Sequence, residues 1–256
     1  MTNAVFSCAA AQIAVRRVET QADLAANLAA HHRAMTRAAQ AGVDVLVFPE
    51  LSLTGYELDR IADLALTPDD ACLAPLAEIS MRHGLIALIG APLRNRQGKP
   101  CIGCVLLHPD GSRTSYAKQH LHASESSCAA PGVGCVQAFA VSGHTCAPAI
   151  CFDAEHRSHA ACAAQEGASI YLAGVLWSEN GYAAGAATLA GHAQEFGLLT
   201  VLANHGAPSG GYRSAGRSAV WTPDGALLAC APPEGDALVL ARAVGAQWHG
   251  ALIPLA

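Results

Sequence analysis

The 256-residue chain is expected to fold as a mixed α/β protein with helices outside packed sheets. Three observations point there. Short, continuous apolar runs such as Val-Asp-Val-Leu-Val-Phe at 43–48 alternate with longer Ala-rich stretches of helical character. Two similar turns, His-Pro-Asp-Gly at 108–111 and Thr-Pro-Asp-Gly at 222–225, interrupt this alternation with hairpins. The hydrophobic fraction is 52% against 14% charged, which supplies a large core and argues against disorder.

Taken in order, 6–14 reads as a first strand and 23–41 as a helix, with Thr20 or Asp23 near its start. The run 43–48 is a strand buried on both faces. A helix over 71–83 ends at Gly84, and 85–91 forms another buried strand. Residues 101–107 and 112–116 make the first hairpin. Then come a strand at 147–152, a helix at 158–166, a strand at 169–173, a helix at 183–196 and a strand at 199–203. The second hairpin joins 218–221 to 226–230. Nothing marks a linker or boundary, so one domain over 1–256 is expected.

A formal net charge of −5 without a basic block excludes an ordinary nucleic-acid surface. No apolar run reaches the ~20 residues of a membrane helix. The start, MTNAVFSCAAAQIAV, lacks the pattern of a signal peptide, so a cytoplasmic location is expected. The ten cysteines (8, 72, 101, 104, 128, 135, 146, 151, 162 and 230) then read as reduced thiols, mostly small core residues. The pair Cys101 and Cys104 lacks the second pair a structural zinc needs, and on a strand the two would face opposite ways. No metal and no cofactor are expected.

Sites in α/β sheets gather beyond the carboxyl ends of strands. Glu50 ends the run 43–50, where a carboxylate either emerges into solvent or is held for a purpose. Lys118 follows the first hairpin. Cys151 stands between a strand and a helix, a junction that lifts a nucleophile out of a sheet beside free backbone amides.

The segments around these residues are FPELSLTGY at 48–56, YAKQHL at 116–121 and ICFD at 150–153, in that order. Together they resemble the three signature segments of the nitrilase superfamily, the carbon–nitrogen hydrolases, in its amidase-like branch. The resemblance runs from Ala11-Gln12 to the hairpin at 218–230. It implies a four-layer αββα sandwich, a homodimer or larger assembly, and a Glu50–Lys118–Cys151 triad. Glu125, before the Pro131-Gly132 pair, matches a second glutamate that would orient Lys118 or the substrate amine.

On that reading Glu50 takes the thiol proton, and the Lys118 cation favours the thiolate. Lys118 and the Phe152 backbone N–H receive the oxyanion. The implied substrate is a small amide; N-carbamoyl compounds and nitriles are the alternatives, as is a silent binding module of the same fold. Two features depart from the family pattern: Ala-Glu-His-Arg-Ser at 154–158 replaces the usual aromatic-Pro-Glu, and Pro148 interrupts the strand before Cys151. Tyr56, His156, Trp177 and Arg213 are candidate substrate contacts. Arg157, Arg213 and Arg217 are placed either to grip a substrate carboxylate or to serve as surface arginines. A serine nucleophile in Tyr-Arg-Ser-Ala-Gly at 212–216 is rejected for want of the first glycine of G-x-S-x-G, and a Cys–His protease would leave Glu50 and Lys118 unexplained.

Overall fold

The computed structural model describes residues 6–96, 98–134 and 136–255; Cys135 lies outside them. Two sheets are stacked face to face. The first holds β1 (Ser7–Gln12), β2 (Val45–Val47), β3 (Ile86–Leu93), β4 (Cys101–Leu107), β5 (Arg113–Ala117), β12 (Ala237–Val244) and β13 (Gln247–Pro254), in the order β13-β12-β1-β2-β3-β4-β5. The second holds β6 (Phe139–Val141), β7 (His144–Ile150), β8 (Ile170–Gly174), β9 (Leu199–Ala203), β10 (Ala219–Trp221) and β11 (Leu227–Cys230), in the order β11-β10-β9-β8-β7-β6. Each expected hairpin ends one sheet: β4–β5 the first, β10–β11 the second.

The strand period of two sorts side chains between layers. Cys8, Ala10, Val45, Val47, Ile86 and Leu88 face the second sheet and meet Ile170, Leu172, Leu199 and Val201. Their neighbours Ala9, Ala11, Leu46, Ala87 and Ile89 face outward, under α1 (Gln21–Gln40) and α2 (Ala74–His83). On the far side, α3 (Arg157–Gln165) and α4 (Glu179–Phe196) cover the second sheet through Ala160, Ala163, Leu189 and Ala193. The result is the expected αββα sandwich. Cys104 falls in the inter-sheet layer and Cys101 packs against the outer one, as alternation along β4 requires.

Helix α1 starts at Thr20, whose side chain accepts from Asp23 N while Asp23 reaches back, a capping box. Helix α2 ends at Gly84 in the left-handed conformation. Several limits differ from expectation. The stretch 71–73 is a short 3-10 turn, and α2 proper begins beside Pro75. Helix α4 begins at Glu179 rather than 183. The expected strand 147–152 stops at Ile150, because Cys151 takes a φ of 46° that no strand can continue through. Pro148 does lie inside β7. It sits past the end of β6, where β7 is paired only with β8, a position that tolerates proline.

Strands β6, β12 and β13 were not expected. Strand β12 pairs antiparallel with the whole of β1, with Ser7 opposite Arg242 and Gln12 opposite Ala237, so β12 extends the sheet that β1 began. Among the described residues no helix is long and apolar enough to cross a membrane.

Candidate active site

Glu50 lies three residues past β2, in a turn whose next residue, Leu51, has a φ of 50°. The turn is sunk between the sheets by two glycines. A Cβ on Gly90 would stand 2.1 Å from the Pro49 carbonyl oxygen, and one on Gly174 would stand 2.4 Å from that of Phe48. His205 Nε2 hydrogen-bonds the Glu50 carbonyl oxygen at 2.7 Å. The Glu50 side chain is therefore buried, and the emergence into solvent weighed from the sequence does not occur.

Lys118 follows β5 directly, anchored by its N–H to the Ile102 carbonyl at 2.8 Å. Its side chain is wholly buried, so it too is no surface residue. The ammonium donates to Glu50 Oε1 at 2.7 Å and to Glu125 Oε1 at 2.6 Å. Tyr56 donates to the same Glu125 oxygen at 2.6 Å, and His122 N–H donates to Glu125 Oε2 at 2.8 Å. Glu125 thus sits in the turn following Lys118 with both oxygens engaged.

Cys151 comes from the other sheet, at the end of β7. The left-handed backbone at this non-glycine residue is a strained turn of the kind that can present a nucleophile. Its Sγ lies 4.0 Å from the Leu176 carbonyl oxygen. Behind it, Asp153 ties the two halves of the site together. Asp153 Oδ1 accepts from the N–H groups of Gln119 and His120, and Oδ2 accepts from Tyr116 Oη at 2.7 Å and Ile150 N at 3.2 Å. One buried carboxylate clamps both the loop after Lys118 and the strand end before Cys151. Asp153 is not among the residues expected from the sequence, although it stands two residues past the thiol in ICFD.

Burial drives the titration of the group. Burial lifts Glu50 to about 7, with Lys118 opposing and Glu125 assisting. Burial, then Glu50, pushes the Cys151 thiol well above its ordinary value, and Lys118 offsets this only in part. The lysine cation favours the thiolate, as expected, but burial and Glu50 outweigh it. Burial also pulls Lys118 down, but Glu50, Cys151 and Glu125 together outweigh it and hold the ammonium charged. Glu50 Oε2 is buried with no hydrogen-bond partner among the described residues, and Cys151 is near enough to Glu50 for each to influence the other's titration.

A cavity of about 150 Å³ opens onto Cys151. Its walls include Tyr56, Glu125, Phe152, Leu176, Trp177 and Tyr212, with His122, Glu155, Ser178 and Gly181. Tyr56, Trp177 and Phe152 are thus at the cavity, and Phe152 follows Cys151 into the first turn of a 3-10 helix, where amides lack intrahelical partners. His156 and Arg213 are not among the lining residues. His156 is turned away by its stack on His120, ring centroids 4.1 Å apart, and Arg213 reaches Glu179 at 3.4 Å in solvent. Arg157 pairs with Glu195 and lies over Phe196, and Arg217 lies over Tyr182. His122, Glu155 and Tyr212 are wall residues that motif spacing does not reveal.

Comparison with known proteins bears on this geometry. The family model described as carbon-nitrogen hydrolase matches residues 8–246. No curated protein gave a match. Among solved structures, the chain resembles the amidase from Nesterenkonia sp. AN1 in several forms. A glutamate-to-leucine mutant carrying the acetamide moiety of fluoroacetamide on its active-site cysteine aligns at 25% identity and a TM-score of 0.83, over 93% of this chain and 90% of that one. A cysteine-to-alanine mutant in complex with butyramide gives 25% identity, the same TM-score of 0.83 and coverage of 93% and 90%. A cysteine-to-serine mutant, described as from the nitrilase superfamily, gives 25% identity and a TM-score of 0.82 over 92% and 90%. With the family model spanning nearly its whole length and this sandwich beneath it, the chain belongs to the carbon–nitrogen hydrolase family.

Proposed function

We propose that the protein hydrolyses a small amide to a carboxylic acid and ammonia through a thioester on Cys151. The observation that carries this reading is the asymmetric engagement of Glu50. One carboxyl oxygen is held by the Lys118 ammonium, while the other is buried with no hydrogen-bond partner among the described residues. A base near 7 next to a neutral thiol suits proton transfer at the moment of attack.

The steps follow from that arrangement. Glu50 accepts the Cys151 proton as Sγ bonds to the amide carbon. The Lys118 ammonium and the Phe152 N–H meet the charge that develops on oxygen. The C–N bond then breaks, and the proton on Glu50 goes to the leaving nitrogen, which departs as ammonia. Water next gives a proton to Glu50 and attacks the thioester carbon. The C–S bond breaks, the acid leaves, and Glu50 returns the proton to sulfur. Glu125 keeps Lys118 aimed by accepting a second hydrogen bond from its ammonium. A cavity of about 150 Å³ suits an acyl group of a few carbons, far below the roughly 300–1,000 Å³ of sites for drug-sized ligands. The butyramide complex of the similar Nesterenkonia amidase supports the same substrate size.

The test is ammonia release from short aliphatic amides, N-carbamoyl compounds and nitriles, comparing the native protein with Cys151→Ala. Turnover of amides that the variant loses by at least about a thousandfold supports the reading. Turnover of nitriles or carbamoyl compounds alone would replace it.

A further inference from the structure

Charge around the cavity is one-sided. Glu155 stands at its mouth, exposed, and makes no side-chain hydrogen bond or ion pair among the described residues. Glu125 forms part of the inner wall. Among the described residues no arginine or lysine lines the cavity, and Lys118 is already shared between two carboxylates. The nearby arginines are engaged elsewhere: Arg213 with Glu179, Arg157 with Glu195, Arg217 over the Tyr182 ring. Among the described lining residues His122 is the one of basic type, and its Nδ1 lies 2.9 Å from Ser124 Oγ.

The remaining wall is aromatic. Tyr56 and Tyr212 meet edge to face with centroids 6.0 Å apart, and Phe152 and Trp177 complete the ring set. Aromatic faces beside an uncompensated carboxylate attract a cation. A carboxylate entering here would lose water and face Glu155, with no arginine or lysine among the described lining residues to receive it.

We propose that the acyl part of the substrate carries a positively charged nitrogen, a short ammonium-bearing amide, with Glu155 and the aromatic walls receiving the charge. This rests on the amide-hydrolase reading of the same site. An acyl group ending in a carboxylate is rejected.

Three amides of matched length test it: 4-aminobutanamide (cationic), pentanamide (neutral) and the monoamide of glutaric acid (anionic). For the native protein kcat/KM is expected to fall in that order, by about tenfold per step. Glu155→Gln is expected to shrink the cationic-to-neutral ratio by about fivefold or more, and Arg213→Gln to leave the order unchanged. Equal rates, or preference for the anionic amide, would overturn the proposal; an anionic preference lost in Arg213→Gln would assign that arginine to the substrate instead. Protection of Cys151 from iodoacetamide by the same three compounds ranks their binding without turnover. If none is hydrolysed but protection follows the cationic-first order, the charge inference stands and the hydrolase reading falls. Equal or anion-first protection overturns the charge inference itself.

Discussion

Tyr56 Oη and Glu125 Oε1 are 2.6 Å apart, and that same carboxylate oxygen takes the Lys118 ammonium at 2.6 Å. Tyr56 therefore does more than line the cavity. It is a donor that keeps its proton, since burial and the neighbouring Glu50 and Glu125 raise its phenol far above the ordinary range. Through Glu125 it sets where the lysine can point.

Removing that donor tests the relay. Tyr56→Phe is expected to lower kcat about tenfold, the worth of one hydrogen bond to a charged group. Steady-state kinetics on the best amide measures it. An unchanged kcat would reduce Tyr56 to a wall residue.

Lys118 compensates two carboxylates that are fully buried. Lys118→Ala is expected to abolish turnover and to cost about 3–5 kcal/mol of stability by leaving buried charge unpaired. Urea unfolding at neutral pH reads the loss. A variant as stable as the native chain would mean that water reaches the carboxylates.

The pH profile follows from Glu50. A group at about 7 is protonated below that pH and cannot take the thiol proton. kcat/KM should thus fall on the acid side with a limb near pH 7, losing about tenfold per unit below it. Above the limb the base is free, and the rate levels until Cys151 itself begins to ionise. A limb near 4.5, the ordinary glutamate value, would show that Glu50 does not carry the proton.

Asp153 positions both reacting halves without touching the cavity. Asp153→Ala removes acceptors for Tyr116, Gln119, His120 and Ile150, so kcat should fall at least about tenfold with KM nearly constant. Asp153→Asn keeps an acceptor oxygen and should recover part of the rate. A loss of stability with kcat intact would give Asp153 a structural role alone.

Gly90 and Gly174 face the backbone that carries Glu50, with no room for a methyl. Either glycine changed to alanine should cost about 1–3 kcal/mol or more through overpacking. It should also move Glu50 enough to lower kcat. Thermal unfolding and kinetics on the same preparations check both effects.

Much of this was legible in the linear pattern. Alternating buried runs and Ala-rich helices yielded the layers, and the motif segments led to Glu50, Lys118, Glu125 and Cys151 as one set. These signals are local: strand burial, turn residues and a nucleophile at a strand–helix junction are written in a few neighbouring positions each.

Tertiary structure decided the rest. Glu50 and Lys118 are 68 residues apart and belong to one sheet, while Cys151 ends a strand of the other. Only the stacking of the sheets sets which strand ends meet, because that depends on side chains interlocking across the inter-sheet core. The same packing lifts Glu50 to about 7, keeps the thiol protonated, and uses Asp153 as a clamp. It also turns His156 and Arg213 away and brings His122, Glu155 and Tyr212 to the wall. Strand β12 was not expected for the same reason: its place in the first sheet is set by pairing with β1, more than two hundred residues earlier, and no local period records a partner so distant. Strand β13 follows it there through a local hairpin across Gly245-Ala246.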